Sequence, residues 1–129
     1  MSVSITALYA AIFALWLTAL AINVTAHRVK FSVGVGDGGN PTMLRMIRLH
    51  ANAAEYLPIT LILMGVYEIN GGSHLVLHLA GVAMILARLA HASALWRSPV
   101  AGPARQFGQG TTWIVIVALS LANLWKLLA

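Results

Sequence analysis

The 129-residue chain contains no cysteine and only three acidic residues. Without cysteine there is no disulfide framework, no thiolate metal site and no protein thiol nucleophile, so any sulfur chemistry must arrive on a ligand. Charged residues make up 9% of the chain, against roughly a quarter in a soluble domain, which excludes an ordinary water-soluble fold. There is no internal repeat and no low-complexity tail. The first apolar run has no basic leader and exceeds the roughly 7–15 residues of a signal-peptide core, so it reads as a membrane span. Residues 34–41, Gly-Val-Gly-Asp-Gly-Gly-Asn-Pro, lack the Gly-Lys-Ser/Thr ending and the preceding strand of a phosphate-binding loop. They read as turns.

What is present is apolar. Hydrophobic residues make up 60% of the chain, and the mean hydropathy is +0.84. Four runs, at about 3–25, 44–69, 75–96 and 111–128, approach or exceed the ~20 residues that cross a bilayer as helix. The expectation is an all-α integral membrane four-helix bundle, one transmembrane domain over 1–129. Of the eight lysines and arginines, Arg28, Lys30, Arg45, Arg48, Arg88, Arg97 and Arg105 border the first or third connection, and only Lys126 lies at the other side. The positive-inside rule then puts both long connections in the cytoplasm and both termini outside it. Asn40 or Thr42 can cap the second helix, and residues 70–73 form a tight turn. The third connection, 97–110, carries Pro99, Pro103 and glycines. Pro58 should kink the second span, and Ala80, Ala83, Ala87, Ala90 and Ala94 allow close packing of the third.

Chemistry concentrates where the second run begins, in Arg45-Met-Ile-Arg48-Leu-His50-Ala-Asn52-Ala-Ala-Glu55-Tyr56-Leu-Pro58. Ionisable side chains near the centre of a membrane helix cost roughly 2.5–3.5 kcal/mol each on insertion scales, which makes them functional candidates. At helical spacing Arg45, Arg48, Asn52, Glu55 and Tyr56 fall within about 100° of arc, one polar stripe on an apolar helix. Glu55 lies about 15 Å deeper along the axis than Arg45. Arg88 and His91 share a face near the same end of the third span, while Arg28 and Arg105 flank the first and fourth. A pocket cationic at its mouth with one carboxylate deeper suits a zwitterion carrying excess negative charge. Arginine forks grip carboxylates, and Glu55 takes an ammonium.

Blander readings stand beside this one. Glu55 can pair internally with Arg48 or Arg88, and Arg45 can snorkel to headgroups. His50 points off the stripe, either packing or facing water, or else serving a neighbouring subunit. His74 and His78 are spaced like two metal ligands but have no third, so no metal is expected. Tyr67, Trp96, Trp113 and Trp125 read as interfacial belt aromatics.

Arg45-x-x-Arg48-x-His50-x-Asn52-x-x-Glu55-Tyr56-x-Pro58, opening the second of four spans, resembles the MAPEG family, the membrane-associated proteins in eicosanoid and glutathione metabolism. Arg88-Leu-Ala-His91 is similar to that family's third-helix motif, and the turn-rich first loop looks most like its small bacterial branch. The resemblance implies a homotrimer of left-handed four-helix bundles in the bacterial inner membrane, among lipids and with no nucleic-acid partner. Glutathione, as co-substrate, would lie between subunits near the cytosolic face. Arg48, Asn52, Glu55 and Tyr56 would contact it, with Arg45, His50, Arg88 and His91 lining the site and Arg28 reaching in from the neighbour. Arg105 would match the arginine that stabilises the thiolate, with Arg28 as the alternative. The implied activity is a transferase or peroxidase acting on a lipophilic small molecule. A non-catalytic lipid- or glutathione-binding scaffold of the same fold is the other outcome. Leu95 stands where many members have a second tyrosine, which argues against strict eicosanoid-type substrate handling.

Overall fold

The computed structural model describes residues 3–97, 100 and 102–128. Four helices follow in order: α1 (Ser4–Phe31), α2 (Pro41–Ile69), α3 (His74–Arg97) and α4 (Pro103–Leu128). At 1.5 Å per residue they are about 36–44 Å long, enough to cross a hydrocarbon core of ~30 Å with a turn or more to spare. By length and composition α1, α3 and α4 qualify as membrane spans among the described residues. α2 is as long, but it carries Arg45, Arg48, Glu55 and Glu68. The molecule is an all-α membrane four-helix bundle.

Local chemistry sets the ends of these helices. Ser32, in the left-handed conformation at φ 56°, ends α1, and the Arg28 guanidinium donates to the carbonyls of Val33, Gly34 and Gly36 at 3.5, 3.3 and 3.0 Å. That ties residues 32–36 into a turn, as the glycine density predicts. Asn40 starts α2, its side chain accepting from the amides of Thr42 and Met43 at 2.9 and 3.1 Å, with Pro41 in the first turn. α2 continues through Pro58 to Ile69. Gly71, at φ 69°, closes the turn into α3. Lys126 from α4 donates to its carbonyl at 3.0 Å.

The core lies along the bundle axis, where Phe13, Leu57, Met64, Leu77, Met84 and Leu119 are almost fully buried. α3 makes its most extensive contact with α4. Two small residues permit that approach: a Cβ at Gly108 would stand 2.5 Å from the Ala87 carbonyl oxygen and 2.8 Å from the His91 amide nitrogen. Composition assigns residues 97–110 to a connection, yet α4 begins at Pro103, and the amides of Arg105 and Gln106 already bond the Gly102 carbonyl. Gly108 is there for close packing rather than for a turn. Pro99, expected in the same connection, lies outside the described residues.

At the opposite end of the bundle, α1 begins without a side-chain cap of its own. Glu68 of α2 supplies one, its two carboxylate oxygens accepting from the amides of Ile5 and Thr6 at 2.9 and 2.7 Å. Nearby the Tyr9 hydroxyl meets His78 Nδ1 at 3.1 Å, which gives that histidine a packing role.

Candidate functional site

Four of the five residues on the α2 stripe open onto one cleft. Arg48, Asn52, Glu55 and Tyr56 line a hollow of about 400 Å³, joined by His91 of α3 and by Arg105, Gln106, Gln109 and Trp113 of α4. α2 contributes both charge signs, and α4 contributes a cation, two amides and an indole. Arg48 and Glu55 lie 3.7 Å apart with side chains 54% and 51% exposed. Two turns of helix separate them, so the pair forms along one helix face without help from a neighbour. Screening keeps such a half-exposed pair weak, so a ligand can compete for either partner.

Arg88 takes a different position from the cleft residues. It is 4% exposed and lies under the cleft floor, where Nη1 donates to Asn52 Oδ1 at 2.7 Å and Nη2 to the Gly108 carbonyl at 3.3 Å and to the Thr112 hydroxyl. Its guanidinium also lies over the Tyr56 ring, 5.7 Å from the centroid. The internal pairing of Arg88 with Glu55 considered from sequence is absent among the described ion pairs. Asn52 continues the network, Nδ2 donating to Gln109 Oε1 at 3.4 Å. Trp113 Nε1 meets the Tyr56 hydroxyl at 3.4 Å.

Arg28, Arg45 and His50 do not line the cleft within a single chain. Arg28 is committed to carbonyls of its own turn. Arg45 Nη2 folds back to the Thr42 hydroxyl at 3.1 Å. His50 is half-buried on another face of α2. His91 is 5% exposed and reaches the cleft edge from α3.

Gln106, Gln109, Thr112 and Trp113 were not singled out from sequence as site residues. The signal for them exists once α4 is started at Pro103. Arg105, Gln106, Gln109, Thr112 and Trp113 then fall within about 120° of arc, a second polar stripe facing that of α2. Trp113, read as a belt aromatic, sits on that stripe with its indole nitrogen turned to Tyr56.

Two curated relatives, both named Inner membrane protein YecN, come from Escherichia coli strain K12 and from Escherichia coli O6:H1 strain CFT073. Each is 35% identical over 121 residues, covering 94% of this chain and 91% of the relative. The model of the MAPEG family matches residues 6–125. With the bundle, its apolar spans and the α2 motif, that match places the chain among the integral inner-membrane proteins of the MAPEG family.

Proposed function

We propose that the protein is a membrane-embedded glutathione-dependent transferase or peroxidase acting on lipophilic electrophiles. The observation that carries this reading is the cleft, in which Arg48, Arg105 and Glu55 stand around one hollow of about 400 Å³. Glutathione has carboxylates for Arg48 and for arginines of the neighbouring subunit, an α-ammonium for Glu55 and a thiol for Arg105 to face. As thiolate, the sulfur attacks an electrophilic carbon and expels its leaving group. Alternatively it attacks a hydroperoxide oxygen, becoming sulfenic acid as the alcohol leaves, and a second glutathione then completes the disulfide.

The active unit in this proposal is a homotrimer. Leu44, Ile59, Ile62, Val66 and Ile69 are exposed on α2 together with Arg48 and Glu55. From residue 55 onward they repeat every three and four positions, the pattern of a helix–helix seam. Half-exposed charges on that seam are costly against lipid, and a second copy covering it encloses the cleft. His50 can then serve the neighbouring subunit's site, and Arg28 and Arg45 can do so once they turn from the groups of their own chain that they now engage.

Detergent-purified protein incubated with glutathione and either an aryl halide or a lipid hydroperoxide tests the activity. Product should form faster with the protein than in its absence. Glu55→Gln should weaken glutathione about ten- to hundredfold, the usual cost of a charge-assisted contact of about 1.5–3 kcal/mol. Unchanged affinity in this variant would remove the pocket assignment. Binding without turnover on any acceptor would assign the scaffold role instead.

The cationic end of the bundle faces the cytoplasm in this reading, with both termini outside. Cysteines placed at Val35 and Asn70, which are exposed at opposite ends of the bundle, should react with an impermeant maleimide from opposite sides of sealed vesicles. Labelling of both from one side would refute a cytosolic cleft.

A further inference from the structure

Two hydrogen-bond chains lead into the cleft, and each starts from a group that can only donate. Arginine has five N–H donors and no acceptor. Because Arg88 Nη1 meets Asn52 Oδ1 at 2.7 Å, Asn52 must turn its carbonyl toward Arg88 and its amide nitrogen away. That nitrogen donates to Gln109 Oε1 at 3.4 Å, which leaves Gln109 its own NH2 to present to the cleft it lines. The second chain starts at the Trp113 indole, also a donor only. It is 3.4 Å from the Tyr56 hydroxyl, so the phenol oxygen accepts and its O–H is left to donate. Arg88 has no freedom to reverse the first chain, since the Gly108 carbonyl and Thr112 hydroxyl hold its other terminal nitrogen, Nη2, and it is 4% exposed.

We infer that Arg88 is a positioning residue that fixes the hydrogen-bond polarity of the cleft, and that Gln109 is the α4 donor it turns toward a carboxylate of the ligand. The inference rests on the cleft assigned above to glutathione, but its content is narrower: the α4 wall selects anionic oxygen. A buried cation does this better through neutral amides than directly. Glu55 can neutralise Arg48 across the mouth, whereas an amide N–H in the relay stays a donor whatever Glu55 does.

A double-mutant cycle separates this relay from an ordinary structural role. Asn52→Asp gives Arg88 a carboxylate, which can only accept. Gln109 must then donate to it and shows Oε1 to the cleft. In the parent protein Gln109→Leu should weaken glutathione about tenfold, the loss of a hydrogen bond to a charged group. In the Asn52→Asp background the same change should cost nothing or restore affinity, because it removes a misdirected acceptor. The negative charge that Asn52→Asp itself adds cancels, since Gln109→Leu is compared within each background. Thermal stabilisation of the detergent-solubilised protein by decanoate against decanol gives a readout independent of glutathione: decanoate should stabilise more, and Gln109→Leu should shrink that preference in the parent but not in the Asn52→Asp background, which separates the relay from the attraction of Arg48 and Arg105 for any anion. An equal cost of Gln109→Leu in both backgrounds, or no preference for decanoate in the parent protein, overturns the inference. A decanoate preference that shrinks on Gln109→Leu only in the parent background, without glutathione binding, retires the glutathione assignment and supports the polarity one.

Discussion

Arg105→Ala should reduce the thiolate absorbance of bound glutathione about twentyfold at pH 7 while leaving glutathione affinity within a few-fold. Arg105 lines the cleft from the first turn of α4, where a cation is opposed by the helix dipole. The dipole therefore does not favour the cation itself, whereas an anion beside it is favoured by both the guanidinium and the helix N-terminus. An opposite charge within ~4–6 Å favours the ionised form, and a two-unit depression from about 8.5 is worth about 2.7 kcal/mol. At pH 7 the thiolate fraction would then be about three-quarters in the parent and about one-thirtieth in the variant. Conjugation should fall by much less, about threefold, because a more basic thiolate is the stronger nucleophile, with a Brønsted slope of roughly 0.4–0.5. The sign follows from the same numbers. A pKa lowered by Arg105 helps the rate most below about pH 6.5, by about tenfold, and ceases to help at about pH 7.5–8, so above about pH 8 the variant should overtake the parent. Ultraviolet titration of the glutathione complex and a pH–rate profile check this. A variant with the parent's thiolate signal and profile would mean that Arg105 serves only topology. Arg28, the other candidate for activating the thiol, would then have to leave the three carbonyls it now engages.

How much of the site was legible depended on whether a residue's meaning came from its own helix or from a partner helix. The α2 stripe was readable because charge on an apolar helix is costly and helical spacing alone puts Arg48, Asn52, Glu55 and Tyr56 on one face. Those residues do open onto one cleft. Asn40 and the 70–73 turn were legible for the same local reason. Arg88 was found as a charge, but its place beneath the cleft depends on how closely α4 approaches, and that is set by Gly108 against Ala87. A glycine in a proline-bearing stretch looks like loop, so the start of α4 and the stripe with Gln109 and Trp113 stayed hidden. Glu68 was the extreme case. Nothing within α2 indicates that its carboxylate serves the first turn of α1.

That contact carries the largest expected effect on stability: Glu68→Ala should destabilise the bundle by about 2–4 kcal/mol without altering the cleft. The first four amides of any helix lack intrahelical acceptors, and Val3, at the N-cap of α1, offers no side-chain acceptor. Glu68 meets two of them, Ile5 at 2.9 Å and Thr6 at 2.7 Å. It does so from 8% exposure, where water is a poor replacement. Hydrogen bonds to a charged group contribute about 1.5–3 kcal/mol each, and the helix dipole adds to a carboxylate at an N-terminus. An effect at or just below the lower end of the combined range is expected because Thr6 is only half-buried and its amide can recover some hydration. Glu68→Gln should lie between, since its carbonyl can serve one amide while its NH2 faces the other, donor against donor. Reversible unfolding in mixed micelles would order the three proteins as parent, Gln, Ala. Hydrogen exchange should show the loss first in the opening turns of α1, because Glu68 is what holds that end of α1 to α2. Equal stability of all three, with unchanged exchange at Ile5 and Thr6, would show that interfacial water caps α1 as well as the carboxylate does.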